Sequence, residues 1–134
     1  MQQLPPKTIV VDFDKTICNS NYPDVGHINK GAKEALTLFK SLGYNIIISS
    51  CRTSGWYLDH FDYRVGYQVM VDFLKQHEIP FDYIDEGDKG KPFANYYVDD
   101  KAIPYKGCWD EVVSFVLANE PKEDNQLCFD FVGE

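Results

Sequence analysis

The apolar positions of this chain form short continuous runs that alternate with segments of helical spacing. Residues 8–11 and 44–49 carry unbroken stretches of valine and isoleucine. Such runs are typical of strands that are buried on both faces of a parallel sheet. Shorter strands are predicted at residues 81–84 and 95–98, and a weak alternation predicts an edge strand at residues 127–132.

Helices are predicted between these strands, where apolar residues recur at spacings of three and four. The clearest case covers about residues 29–42 and ends at Gly43, a residue type that commonly stops helices. Two more helices are predicted over about residues 65–77 and 109–118. Residues 19–27 are polar and contain proline and glycine, so a loop is predicted there.

Strands that alternate with helices predict an α/β fold, a Rossmann-like three-layer sandwich with a mainly parallel central sheet. Right-handed crossovers bring the carboxyl ends of such strands to one edge of the sheet. A length of 134 residues predicts a single domain over residues 1–134.

Composition and charge narrow the classes of protein that this chain represents. The net charge of −8 argues against non-specific binding to a nucleic-acid backbone, but it leaves a phosphorylated substrate open. The N-terminal residues lack a basic start and a long apolar stretch, so neither an export signal nor a membrane span is predicted. The four cysteines match no zinc pattern, and we expect reduced thiols in a cytoplasmic protein.

Two aspartates, Asp12 and Asp14, follow the first predicted strand with one residue between them. Open α/β sheets bind their ligands at this carboxyl edge, which should also carry Ser50, Asp99 and Asp100. At about 4 Å and an effective dielectric constant of about 20, two like charges repel by roughly 4 kcal/mol. A bound cation is the simplest way to offset that repulsion. Taken alone, the first pair would also suit a solvated turn and a helix cap.

Four motifs follow each other along the chain, each at a predicted strand end or just before a strand. The first is Asp12-Phe13-Asp14-Lys15-Thr16, and the second is Ser50 at the end of an apolar strand. Lys91 precedes the last core strand, and the pair Asp99-Asp100 follows it. In this order the motifs resemble those of the haloacid dehalogenase-like superfamily of phosphohydrolases.

The resemblance implies a reaction and two catalytic residues. Asp12 would be the nucleophile that forms an aspartyl-phosphate. Asp14 would protonate the leaving oxygen and then act as the base for the water that hydrolyses the intermediate. The expected function is therefore that of a phosphatase that hydrolyses phosphate monoesters.

The resemblance also implies a magnesium site. Its ligands would be Asp12, the backbone carbonyl of Asp14, and Asp99, with Asp100 supporting the ion directly or through a water. Mg²⁺ would shield the nucleophile from the negatively charged phosphate.

Three side chains are expected to bind the substrate phosphate, and each has an alternative. Ser50 and Lys91 would hold phosphoryl oxygens, although Ser49 and Lys89 lie close enough to take these parts. Arg52 would either contact the substrate or form an ion pair with an acid. An aromatic-rich segment after Ser50 is expected to pack locally or to contact the substrate, and it contains Trp56, Tyr57, Phe61 and Tyr63.

The resemblance covers about residues 8–117 and leaves residues 119–134 as a C-terminal extension or edge strand. The intervals at residues 17–48 and 51–90 hold only a loop, a helix and a strand each, so no separate cap domain is predicted. An open site admits a phosphorylated small molecule or a macromolecular substrate, or a second subunit of a homo-oligomer closes it. The alternatives are a phosphatase or phosphotransferase acting on nucleotides or nucleic-acid ends, and a non-catalytic binding module of the same fold.

Overall fold

The computed structural model of the protein describes residues 7–21, 24–53, 64–87 and 90–120. Its strands are β1 (Thr8–Asp12), β2 (Cys18–Asn21), β3 (Asp24–Ile28), β4 (Asn45–Ser49), β5 (Tyr83–Ile84) and β6 (Tyr96–Val98). Its helices are α1 (Ala32–Ser41), α2 (Val69–Gln76) and α3 (Trp109–Ala118). The main sheet has the order β5-β4-β1-β6 with all neighbours parallel, so the predicted α/β fold with a mainly parallel sheet is confirmed.

Strand β1 lies between β4 and β6, and this position decides which residues meet at the carboxyl edge. Asp12 pairs with Ser49 on one side, and Val11 pairs with Val98 on the other side. The residue after Val98 is Asp99. The two neighbours of β1 therefore end beside Asp12, one in serines and one in acids.

The core lies between the sheet and the two helices that cross it. Alternate residues of β1 and β4 face α1 and α2, where side chains of Leu36, Phe73 and Leu74 are buried against them. Val10 and Ile47 point to the opposite face and are also buried, at 5% and 2% exposure. The unbroken apolar runs are thus explained by burial on both faces of the sheet.

Helix α1 is shorter than predicted at its beginning, because Gly31 has a φ of +88°. A left-handed backbone does not continue a right-handed helix, so the helix begins at Ala32. Its end agrees with the prediction. Gly43 has a φ of +91°, and its N–H donates to the carbonyl of Lys40.

The predicted loop at residues 19–27 is wrong, because β2 and β3 form an antiparallel hairpin there. Asparagine, serine and glycine have low strand propensity, but the two strands pair with each other, and Val25 and Ile28 pack against the core. A β-carbon at Gly26 would lie 2.6 Å from the carbonyl oxygen of Asn19, so only glycine permits the approach of the two strands.

Two further elements differ from the prediction. The helix expected at residues 65–77 consists of a π-helical turn at Arg64–Gln68 followed by α2. Strand β5 is only two residues long, because the carboxylate of Asp82 accepts the N–H of Ile46 at 2.6 Å where a longer strand would have paired. Residues 54–63, with the aromatic segment, and 127–132, with the predicted edge strand, lie outside the described residues.

The described chain separates into two units whose boundary lies between Asp100 and Lys101. The sheet and the helices α1 and α2 belong to the first unit. Helix α3 belongs to the second, in which the rings of Tyr105 and Trp109 lie 5.2 Å apart. The single domain stays a prediction. Across the described ranges, no helix has both the length and the apolar character needed to cross a membrane.

The packing of α2 on the sheet can be tested with a pair of leucines. Leu74 is fully buried, so Leu74→Ala should lower the free energy of unfolding by about 2–5 kcal/mol. Leu38 is 54% exposed on α1, so Leu38→Ala should change the free energy of unfolding by less than about 0.5 kcal/mol. Urea unfolding of both variants measures the difference, and equal losses would contradict this packing.

Candidate active site

Three carboxylates meet at the carboxyl edge of the sheet. Asp12 ends β1, and Asp99 and Asp100 follow β6 directly. One oxygen from each lies within 4.8 Å of the other two. Parallel pairing of β1 with β6 brings these residues together although more than eighty positions separate them in the sequence.

The pKa of Asp12 is raised by its surroundings at this edge of the sheet. Burial, the largest cause, and a hydrogen bond with Asp100 both raise the pKa of Asp12 above its ordinary 3.8. The charges of Asp99, Asp100 and Asp14 add to the shift, which brings this pKa to about 8. The Thr16 hydroxyl lies 3.3 Å from Oδ2 of Asp12 and donates to it. Asp12 is therefore a half-buried acid whose surroundings oppose its ionisation at neutral pH.

The cluster fits a divalent cation of the magnesium type. Hard oxygen ligands are the donors that Mg²⁺ prefers, at about 2.1 Å from the ion, so two ligands are at most about 4.2 Å apart. Asp99 and Asp100 are exposed at the end of β6, so small movements of their carboxylates would bring the set within that limit. Burial and the neighbouring acids raise the pKa of Asp12, and a bound cation would favour its ionised form.

Asp14 does not share this cluster, because its carboxylate forms an ion pair with Arg52. Nε of Arg52 donates to Oδ2 of Asp14 at 2.9 Å, and Nη2 donates to Oδ1 at 2.8 Å. The guanidinium is fully buried, and the Asp14 side chain is 19% exposed. Arg52 thus offsets one of the two charges that the Asp-x-Asp spacing places close together.

The ion pair decides between the two roles that the sequence left open for Arg52. A fully buried guanidinium that binds Asp14 has no exposed surface to offer a phosphate. The predicted contact between Arg52 and the substrate is therefore replaced by the alternative, pairing with an acid. The sequence signal for this alternative was the position of Arg52, two residues after Ser50 in the adjacent strand-end segment.

Ser50 lies beside the acids on the β4 side of β1. Its hydroxyl accepts the backbone N–H of Arg52 at 3.0 Å, which closes a turn at Cys51–Thr53. Ser49 pairs with Asp12 within the sheet, and its carbonyl accepts the N–H of Phe13 at 3.0 Å. The backbone of Ser49 therefore serves the sheet. Ser50 comes after the ladder and is half-buried at its end.

Thr53 is a structural member of this edge that the sequence did not reveal. Its hydroxyl lies 3.1 Å from the carbonyl oxygen of Ser50 and 2.9 Å from that of Asp85. These contacts tie the turn after β4 to the segment after β5. Its spacing of three residues from Ser50 is common in turns and was too weak a signal to predict the second contact.

Lys91 is exposed, and its Nζ lies 4.4 Å above the ring of Tyr97. This position on the segment before β6 agrees with the sequence motif, but the contact is with an aromatic ring. Its expected contact with a phosphate stays a prediction. Lys89, the alternative, lies outside the described residues.

Two solved structures are similar to this chain. A conserved protein from Bacteroides thetaiotaomicron aligns with a TM-score of 0.54 and 23% identity over 85% of this chain and 92% of that chain. A protein from Vibrio cholerae aligns with a TM-score of 0.49 and 24% identity over 84% of this chain and 98% of that one. No protein-family model matches, and no curated protein sequence matches. The likeness to the Bacteroides protein concerns the fold.

Proposed function

We propose that this protein is a magnesium-dependent phosphatase of the haloacid dehalogenase-like superfamily that hydrolyses a phosphate monoester through an aspartyl-phosphate. The observation that carries the proposal is the arrangement of the acids around β1. Asp12 lies with Asp99 and Asp100 in a group that fits a cation, while Asp14 is held apart from them by Arg52.

The chemistry assigns different tasks to Asp12 and Asp14. An Asp12 oxygen attacks phosphorus and forms a new P–O bond, and the bond from phosphorus to the ester oxygen breaks. The leaving oxygen takes a proton from the Asp14 carboxyl group and departs as an alcohol. In the second half Asp14 removes a proton from water, the water oxygen bonds to phosphorus, and the Asp12 carboxylate leaves.

The metal and the phosphate have separate binding groups in this proposal. Carboxylates of Asp12, Asp99 and Asp100 would hold Mg²⁺, which supplies positive charge that balances the phosphate when bound. Ser50, at the end of β4, would donate its hydroxyl to a phosphoryl oxygen. Lys91, on the segment before β6, would donate from its exposed ammonium to a phosphoryl oxygen, which its flexible side chain could reach. A cytoplasmic location, with the free thiols of Cys18, Cys51 and Cys108, belongs to the same proposal.

The role of Asp12 is tested by Asp12→Asn. An amide is not a nucleophile towards phosphate, so kcat on 4-nitrophenyl phosphate should fall by at least about 10³-fold. The matched control is Asp72→Asn, which changes an exposed aspartate on α2. This control should keep wild-type kcat. Substantial turnover by Asp12→Asn would remove Asp12 as the nucleophile.

Metal dependence is tested by chelation. EDTA should abolish hydrolysis of 4-nitrophenyl phosphate, and added Mg²⁺ should restore it, because the acid cluster otherwise repels the substrate. Calcium tests the size of the site, since it prefers more ligands at longer distances and should restore much less activity. Full activity in EDTA would contradict the metal assignment.

The metal-free protein should lose stability as pH rises. The pKa of Asp12 is about 8 in the folded state against 3.8 ordinarily, so the folded state binds the extra proton. Stability is then highest below about pH 4 for this group and falls up to about pH 8. In EDTA, Tm should therefore fall between about pH 5 and about pH 8 more in the wild type than in Asp12→Asn.

Mg²⁺ at about pH 8 should raise the Tm of the wild type, because it neutralises the cluster, and should raise that of Asp12→Asn much less. The Asp72→Asn protein should behave as the wild type does at both pH values. Identical pH profiles of the wild type and Asp12→Asn in EDTA would show that ionisation of Asp12 is not what lowers the stability of the folded protein.

A further inference from the structure

We infer that Arg52 is a positioning residue for the general acid: it holds the Asp14 carboxyl group in the orientation from which it protonates the leaving oxygen. This inference rests on the proposed function and adds to it a residue that does not touch the substrate. It assigns a task in the reaction to the most deeply buried charged side chain that the structure describes.

The contact between Arg52 and Asp14 has the two-point geometry that fixes a carboxyl group. Two N–H groups of one guanidinium meet the two oxygens of one carboxylate, at 2.9 and 2.8 Å. Such parallel bonds set the plane of the carboxyl group as well as its distance. A lysine in the same place would supply charge from a single point and would leave the plane free to rotate.

Arg52 is itself held by three other parts of the first unit. Nη2 also donates to the backbone carbonyl of Asp24 at 3.1 Å, which anchors the beginning of β3. Its guanidinium carbon lies 5.7 Å from the centre of the Phe13 ring, and its backbone N–H donates to Ser50. These contacts hold Arg52 in place independently of its ion pair with Asp14.

The site requires such a support because Asp14 stands next to other negative groups. Asp14 is two residues from Asp12, and its charge contributes to the raised pKa of that residue. Once Mg²⁺ is bound, an unsupported Asp14 carboxylate would be drawn towards the ion and away from the leaving oxygen. The arginine fork opposes this movement and keeps the acid separate from the metal ligands.

Protonation of the leaving oxygen provides a measurable signature of this role. For the first step Asp14 is protonated on a lone pair that Arg52 does not use, since each carboxyl oxygen accepts one N–H from it. The Asp12 oxygen then bonds to phosphorus, the ester bond breaks, and this proton passes to the leaving oxygen. 4-Nitrophenolate is a weak base that can leave without being protonated. Phenolate is a stronger base, so its departure depends more on proton donation by an acid. A displaced acid should therefore slow the reaction of phenyl phosphate more than that of 4-nitrophenyl phosphate.

The experiment compares kcat/KM for these two esters, because kcat/KM covers the steps up to departure of the leaving group and excludes the later hydrolysis of the intermediate. Arg52→Lys keeps the charge and removes the fork. We expect it to lower kcat/KM for phenyl phosphate by about 10²-fold and for 4-nitrophenyl phosphate by less than about tenfold. Tm of each variant establishes that the protein is folded at the assay temperature.

A second set of variants tests whether Arg52 acts through Asp14. Asp14→Asn alone should show the same preference for loss on phenyl phosphate. Adding Arg52→Lys to Asp14→Asn should then change kcat/KM by less than about twofold, because the acid that Arg52 holds is already absent. Arg52→Gln provides a second replacement in case lysine is poorly accommodated, and it should show the same preference.

The matched control is Lys40→Met. It breaks an ion pair in which Nζ lies 2.8 Å from Asp82, between α1 and the residue before β5. Any loss of stability from this change should lower kcat/KM for both esters by the same factor. Arg52 variants that also lowered both esters equally, or that kept their full effect in the Asp14→Asn background, would overturn the positioning role.

These outcomes separate the inference from the function on which it rests. If the wild type hydrolyses neither ester in Mg²⁺, the proposed function fails and the inference fails with it. If the wild type is active and Asp12→Asn is inactive while Arg52→Lys shows no dependence on the leaving group, only the inference fails.

Discussion

Negative charge gathered beside the end of β1 is the constraint on which the rest of this site depends. The parallel pairing that buries the apolar strands also places Asp12 next to Asp99 and Asp100, so the fold cannot form without bringing the acids together. Burial and the charges of these neighbours raise the pKa of Asp12. A group of acids this close together could hold a cation, since the ion would reduce the repulsion between them.

Asp14 differs from Asp12, because a side chain of the protein, Arg52, serves as its counter-ion. A fully buried guanidinium must be paired, and removal of one partner from such a pair typically costs about 3–5 kcal/mol. The pair therefore supports the fold and the site at once. It joins the segment after β1 to the turn after β4, and it reaches β3 through the carbonyl of Asp24. Two aspartates separated by one residue thus have different surroundings, which is what two different chemical tasks require.

The regular elements followed from the sequence where a local rule applied. Burial on both faces explains the runs in β1 and β4, and Gly43 ends α1 as expected. The hairpin at residues 18–28 was missed, because its residues have low strand propensity; its two strands pair with each other, and Val25 and Ile28 pack against the core. β5 was predicted too long for a related reason. The Asp82 carboxylate accepts the N–H of Ile46, which would pair with the backbone of a longer strand. Sequence patterns do not reveal that a side chain replaces a backbone partner in this way.

The sequence by itself determined where the four parallel strands and three helices lie along the chain, and which acids follow the strand ends, because these depend on local periodicity and on the parallel topology that alternation implies. It also limited Arg52 to two roles without choosing between them. The tertiary structure made that choice, since burial and the partner of a guanidinium depend on chain segments far apart in sequence. It likewise decided which acids share a cluster: Asp99 and Asp100 join Asp12, and Asp14, its near neighbour in sequence, has Arg52 as its partner.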